Sequence, residues 1–215
     1  MKYGFYVSGN AGRLINTIHQ AVEQNGSIDF IDFVLTDNET TSLKHMAELH
    51  GFDLYCISYE ALGLKGKAQG EFLSDELYRL LVKYETQYCF VFGAKILRGE
   101  LLNSFENKLI NFHPSILPAY KGLSAIDQAL SENAFLLGNT AHFVDSGVDT
   151  GPVIMQNIIH RSSYEGYGSL LDNQCLMVMQ IIKWCNEGRL SVKDGIVKID
   201  KANYSIGNYI PQLEN

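Results

Sequence analysis

Several things are missing from this chain, and each absence removes a class of function. No apolar run is long enough to cross a bilayer. Positive charge is in short supply: 17 Lys and Arg stand against 24 Asp and Glu, a formal net charge of -7. That balance repels phosphate backbones and anionic lipid, so neither nucleic acid nor a membrane surface is an expected partner. A local basic pocket for a small phosphorylated substrate is still compatible with it. Cysteine is sparse and scattered. Cys56, Cys89, Cys175 and Cys185 lack the paired spacing of a zinc site or dithiol motif, which predicts reduced, buried thiols, no metal centre and a cytoplasmic setting. Only 4 prolines occur, and no internal repeat or low-complexity tract is present. The opening MKYGFYVSGN has a basic residue and an apolar run, but the run breaks early and reads as a first strand with no leader cleavage region after it.

What remains is an ordinary globular composition. The 215 residues, 46% hydrophobic and 19% charged, suffice for one domain with a substantial core. Apolar runs alternate with segments of helical period, the pattern of an α/β fold: an open, mostly parallel twisted sheet with helices on both faces, Rossmann-like. YGFYVSG, FIDFVLT, DLYCIS, YCFVFG, KLINFHPS, NTAHFVDS and VIMQNIIH supply the strands. Helices are expected after Gly12, over 41–50, 74–84, 122–130 and 167–186, with a short helical turn over 97–105 and a glycine-rich surface loop over 59–70. Residues 1–189 form the main domain. Residues 190–215 form a hairpin turning at Asp194-Gly195 and a polar tail, with no separate domain. The hairpin edge offers a surface for a homodimer.

Three groups of residues can carry chemistry. Asn111 and His113 alternate on INFH, so both point to one face at a strand's carboxyl end, where open α/β sheets place their sites. An amide beside an imidazole can donate to a developing oxyanion, and the imidazole can move a proton near neutral pH. A turn that merely satisfies an asparagine and a histidine gives the same short pattern. Asp149 lies in VDSGVDTGP, where Gly147 and Gly151 permit tight turns that can bring its carboxylate to a neighbouring strand end. There it would favour and orient a protonated His113. An Asx-turn cap is the other use for such an aspartate, and Asp145 is assigned that role. His142, on AHFV, reads as a satisfied partner residue. Finally, SGNAGRL follows the first strand and opens a helix. The amides of Gly9, Asn10, Ala11 and Gly12 with Arg13 can receive a phosphate, although a plain strand-to-helix turn looks the same. It is neither the dinucleotide fingerprint, since Leu14 stands where the third glycine belongs, nor a P-loop.

LINFHPSILPAYKGLSAIDQAL followed by GNTAHFVDSGVDTGPVIMQ resembles the folate-dependent formyltransferases, a family that includes glycinamide ribonucleotide, methionyl-tRNA and amino-sugar N-formyltransferases. With SGNAGRL, the resemblance covers about residues 1–190. It implies an enzyme that moves a formyl group from N10-formyltetrahydrofolate, its co-substrate, to a primary amine. It carries over Asn111, His113 and Asp149 as catalytic residues, and Phe92, Gly93, Ile96, Leu97 and Val144 as the donor site. Gly9, Asn10, Ala11, Gly12, Arg13 and Gln174 become the acceptor site. Departures from the family pattern bear on the acceptor. Gln174 stands where a substrate-binding glutamate is usual, Cys175 replaces the histidine beside it, and the loop over 65–73 lacks a serine-arginine pair. These departures favour a nucleotide-linked amino sugar over glycinamide ribonucleotide. A large RNA-binding domain and the small regulatory domain of formyl-folate hydrolases are both missing from the pattern. A non-catalytic ligand-binding protein on the same fold is the competing class.

Overall fold

The computed structural model describes residues 1–25, 28–204 and 210. Seven strands form one sheet: β1 (Tyr3–Val7), β2 (Ile31–Thr36), β3 (Asp53–Cys56), β4 (Cys89–Phe92), β5 (Leu109–His113), β6 (Leu136–Phe143) and β7 (Val153–His160). Their order is β3-β2-β1-β4-β5-β6-β7. Strands β1 to β5 pair in parallel and β6 and β7 add on antiparallel, so the open, mostly parallel sheet expected from sequence is present. The helices are α1 (Gly12–Asn25), α2 (Thr41–His50), α3 (Lys67–Lys83), α4 (Glu100–Ser104), α5 (Ala125–Ser131) and α6 (Tyr167–Asn186). Strands β8 (Leu190–Lys193) and β9 (Ile196–Ile199) make the separate hairpin. Asp194 and Gly195 both have left-handed backbone, φ 52° and 73°, as a two-residue hairpin turn demands.

Each sheet face carries its own core. Phe5, Phe90, Phe92 and Phe112 pack with Leu14 and Ile18 of α1 and Met177, Val178 and Ile181 of α6. On the other face Tyr6, Val91 and Leu109 pack with Leu73, Leu77 and Leu80 of α3. All four residues of β4 are buried, as a central strand covered on both sides must be. Among the described residues no helix is long and apolar enough to cross a membrane.

The departures from expectation have local causes. Helix α3 starts seven residues earlier than its leucine periodicity suggests, inside the expected loop. Gly70 is the reason: a Cβ there would lie 2.5 Å from the Ile96 carbonyl oxygen, so the helix can approach that segment only with glycine. Ser74 fastens the contact, donating to the Gly70 carbonyl at 2.7 Å and accepting the Arg98 amide at 2.9 Å. Helix α5 begins three residues later than expected because Gly122 and Ser124 are left-handed, φ 81° and 57°. Strand β6 is shifted toward the amino end, and the chain leaves the sheet after Phe143 to build the Asp149 loop. Cys56 is exposed on the edge strand β3, contrary to the expected burial, whereas Cys89, Cys175 and Cys185 are buried; all four are free thiols. The polar tail expected after the hairpin falls mostly outside the described residues.

The loop over 144–152 folds back on β6 so closely that a Cβ at Gly151 would collide with the Phe143 carbonyl oxygen, while the Phe143 amide donates to the Pro152 carbonyl at 2.9 Å. Gly151→Ala is therefore expected to lower stability by about 1–3 kcal/mol. Urea unfolding checks this, and an unchanged midpoint would contradict the close approach.

Candidate active site

Connectivity runs outward in opposite directions from the β1/β4 boundary, and open α/β sheets hold ligands at such a boundary, beyond the carboxyl strand ends. A cavity of about 730 Å³ opens there. It wraps the ends of β4 and β5, so it has a wall on each side of the sheet.

Asn111 and His113 reach it from β5, and the residue between them, Phe112, enters the α1/α6 core as alternation requires. Strand β6 runs antiparallel to β5 and sets His142 directly opposite Asn111. Cross-strand partners share a face; His142 Nε2 lies 3.5 Å from Asn111 Nδ2. Asp149 arrives from the loop after β6. Asp145 shapes that loop as expected, accepting from the Gly147 amide at 3.0 Å and the Thr150 hydroxyl at 2.7 Å. Asp149 itself has φ 50°, a left-handed conformation that costs an L-residue on the order of 1 kcal/mol. Such strain persists only where surrounding contacts hold it, and here they do. Asp149 Oδ2 is 3.3 Å from His113 Nδ1 and accepts the Gly122 amide at 2.8 Å, while Oδ1 is 3.5 Å from His142 Nε2.

These contacts decide where protons sit. His113 Nε2 is 2.7 Å from the Tyr120 carbonyl, which can only accept, so Nε2 carries a proton. Nδ1 faces the Asp149 carboxylate and, when protonated, donates to it. His142 Nδ1 donates to the Phe143 carbonyl at 2.8 Å. Its Nε2 is left to accept from Asn111 or, when protonated, to donate to Asp149. Burial pushes the Asp149 carboxyl up, but the hydrogen bonds from His142 and the Gly122 amide and the charges of His113 and His142 outweigh it and hold the group below its usual range. The result is an ionised carboxylate bridging two imidazoles, with an amide donor alongside.

The expected donor-site residues Phe92, Gly93, Ile96, Leu97 and Val144 all line the cavity. Gly93 lies against the Tyr6 ring, leaving no room for a side chain. Ile96, Leu123 and Val148 are 48%, 78% and 50% exposed, an open apolar rim that a flat aromatic ligand would cover. The acceptor-site expectations divide. Arg13 lines the cavity with Ser8, Tyr164 and Tyr167, whereas Gly9, Asn10, Ala11 and Gly12 are not among its lining residues. Two of their amides are used internally: Ala11 donates to the Ser8 carbonyl at 3.3 Å and Gly12 to the Asn10 side chain at 3.1 Å. Gln174 is fully buried and outside the lining, its amide donating to Asn139 Oδ1 at 2.6 Å. Sequence reasoning missed Tyr120, Gly122 and Tyr167, and assigned His142 only a passive part. Gly122 carried a weak signal as a glycine between two expected elements; Tyr120 acts through its carbonyl, which no side chain announces. Among the described residues no group of three or more metal-ligating side chains is clustered.

A family model described as formyl transferase matches residues 1–171. Phosphoribosylglycinamide formyltransferase of Bacillus subtilis is 30% identical over 165 residues, 76% of this chain and 82% of that one. Formyltetrahydrofolate deformylase of Escherichia coli is 30% identical over 141 residues, 63% of this chain and 46% of that one. Among solved structures, glycinamide ribonucleotide transformylase 1 from Symbiobacterium toebii superposes with a TM-score of 0.77 at 27% identity, covering 93% of both chains. A family model spanning most of the chain, a relative matched over most of its length, and a shared fold place this chain in the formyl transferase family.

Proposed function

We propose that this chain transfers the formyl group of N10-formyltetrahydrofolate to the primary amine of a small phosphorylated molecule, with Asn111, His113 and Asp149 as catalytic residues. The observation that carries the reading is the approach of Asp149 Oδ2 to within 3.3 Å of His113 Nδ1 at the mouth of one cavity, beside the Asn111 amide. Nothing in a turn requires three such groups to converge from one strand and a strained loop.

The chemistry follows from those groups. The amine lone pair attacks the formyl carbon, and the carbonyl π electrons move to oxygen. Asn111 Nδ2–H and His113 Nε2–H donate to that oxyanion, which a preorganised site stabilises better than water does. His113 Nε2–H exchanges the Tyr120 carbonyl for the oxyanion as the formyl oxygen arrives. Collapse breaks the bond from carbon to the folate nitrogen. The proton lost by the attacking amine passes through Asp149 and water to that nitrogen, so the amine leaves as a formamide and the donor as tetrahydrofolate. Phe92, Gly93, Ile96, Leu97 and Val144 hold the donor, with Leu123 and Val148 closing the apolar rim.

Glycinamide ribonucleotide is the acceptor the comparisons favour, because that activity names both the Bacillus subtilis relative and the Symbiobacterium toebii structure. They lend no support to the amino-sugar acceptor expected from sequence. One observation keeps it as a second reading: Gln174, where the resemblance puts a substrate-binding glutamate, is enclosed against Asn139 and away from the cavity lining. The experiment is turnover of 10-formyltetrahydrofolate, read by the absorbance of the deformylated folate, with glycinamide ribonucleotide and nucleotide-linked amino sugars in parallel. Product with the first acceptor supports the leading reading, product only with an amino sugar supports the second, and folate release that no amine accelerates contradicts both.

Two variants test the catalytic assignment. His113→Ala should lower kcat about 10²–10³-fold with an unchanged circular dichroism spectrum; near-normal turnover would remove His113 from the chemistry. Asp149→Asn tests the ionised carboxylate through stability. Because the folded-state value lies below the ordinary 3.8, the charge stabilises the fold above that pH, and the contribution is lost as pH falls through the folded value. The stability difference between wild type and Asp149→Asn should therefore shrink as pH falls below about pH 4. Urea unfolding at a series of pH values measures it, and a gap independent of pH would contradict the assignment.

A further inference from the structure

The cavity wall assigned to the folate rests on a tyrosine that does not itself line the cavity. Tyr6 lies near the carboxyl end of β1, in register with Val91 of β4, and is fully buried on the α3 side of the sheet with Val91 and Leu97. Phe92, Gly93, Ile96 and Leu97 line the cavity and Tyr6 does not. A Cβ at Gly93 would collide with Tyr6 Cε1 and lie 3.0 Å from its Cζ. The Gly93 backbone is not left-handed, so its conformation does not call for glycine. The ring does. At the far end of that ring the hydroxyl donates to Asp37 Oδ2 at 2.9 Å, on the loop after β2. Burial, with the Asp37 carboxylate close by, pushes the Tyr6 phenol well above its usual range, so it stays protonated and remains a donor. An apolar side chain would pack in this core with no polar atom to satisfy. A phenol hydrogen-bonded at its tip is held in one orientation instead. The same wall is gripped further along: Lys95 donates to Gln69 at 2.5 Å, its ammonium 5.3 Å from the Tyr59 ring centroid, and Ser74 takes the Arg98 amide.

We propose that Tyr6 is a positioning residue for the formyl donor: tied at its hydroxyl to Asp37, its ring sets the height of Gly93 and with it the backbone of the 92–97 segment on which the folate lies. The proposal rests on the formyl-transfer reading and deepens it. Asp37 and Gly93 are the two working partners of Tyr6. One fixes the ring, and the other is shaped to it. The effect falls on donor binding, because the catalytic groups come from β5 and the Asp149 loop and touch neither partner. A displacement of about 1 Å in a supporting residue is enough to degrade a site it does not enter.

The test is a double-substitution cycle read by donor binding. The full chain is titrated calorimetrically with a non-transferable N10-formyl folate analogue, and circular dichroism checks each variant's fold. Tyr6→Phe, which removes one hydroxyl and no ring atom, should raise the Kd roughly three- to tenfold, the loss of one hydrogen bond to a charged group felt through the ring. Gly93→Ala should raise it more, roughly tenfold or beyond, because the added Cβ meets the ring. Tyr6→Leu removes the ring atoms in its way, so Tyr6→Leu with Gly93→Ala should bind more tightly than Gly93→Ala alone. That recovery is the signature of a coupled pair. In turnover, Tyr6→Phe should raise the donor KM by a factor similar to its Kd and leave the acceptor KM unchanged, a split that a general loss of stability does not produce. Should Gly93→Ala fail to fold, the Tyr6→Phe arm decides alone. Wild-type binding to the analogue with Tyr6→Phe binding equally well, or a double variant no better than a folded Gly93→Ala, overturns the positioning role and leaves the formyl-transfer reading standing. Wild type that binds no folate overturns both.

Discussion

The Asp149 carboxylate is the interaction on which the site depends. It is held in a left-handed backbone conformation, faces His113 with one oxygen and His142 with the other, and takes the Gly122 amide as well. Without it the two imidazoles would have no common partner. The features around it follow from the need to place it. Gly151 lets its loop close on β6, Asp145 caps the turn, and the residues before α5 stay out of the helix so that Gly122 can donate. The register of the antiparallel β6 matters equally, since it sets His142 beside Asn111.

The sheet then divides the work. One side of the β4 and β5 ends presents amide, imidazole and an open apolar rim; the other presents the Arg13 guanidinium beside two phenylalanine rings. Helix α3 contributes from a distance: Gly70 and Ser74 fix the 96–98 segment, and with it Ile96 and Leu97 of the cavity wall.

Much of this was legible in the sequence because it is periodic or local. Alternation in INFH put Asn111 and His113 on one face, the apolar run CFVF marked a strand, and Asp194-Gly195 marked a hairpin turn. The start of α3 was not legible, because glycine reads locally as a breaker and its use here, a close approach to Ile96, is a tertiary fact. The pairing of His142 with Asn111 depends on strand register, and the Tyr120 contact on a backbone carbonyl; neither leaves a mark on residue type. The loop over 9–13 was legible only in part. Its glycines suggested free amides, but the fold spends two of them within the loop and turns Arg13 into the cavity.

The most direct test of the account is the structure of this chain with a non-transferable N10-formyl folate analogue. The account predicts the formyl oxygen at about 2.7–3.2 Å from Asn111 Nδ2 and His113 Nε2, with the Tyr120 carbonyl displaced and the folate ring against Phe92, Ile96 and Leu97. A folate lying on the Arg13 side of the strand ends, or a formyl oxygen turned away from Asn111 and His113, would contradict it.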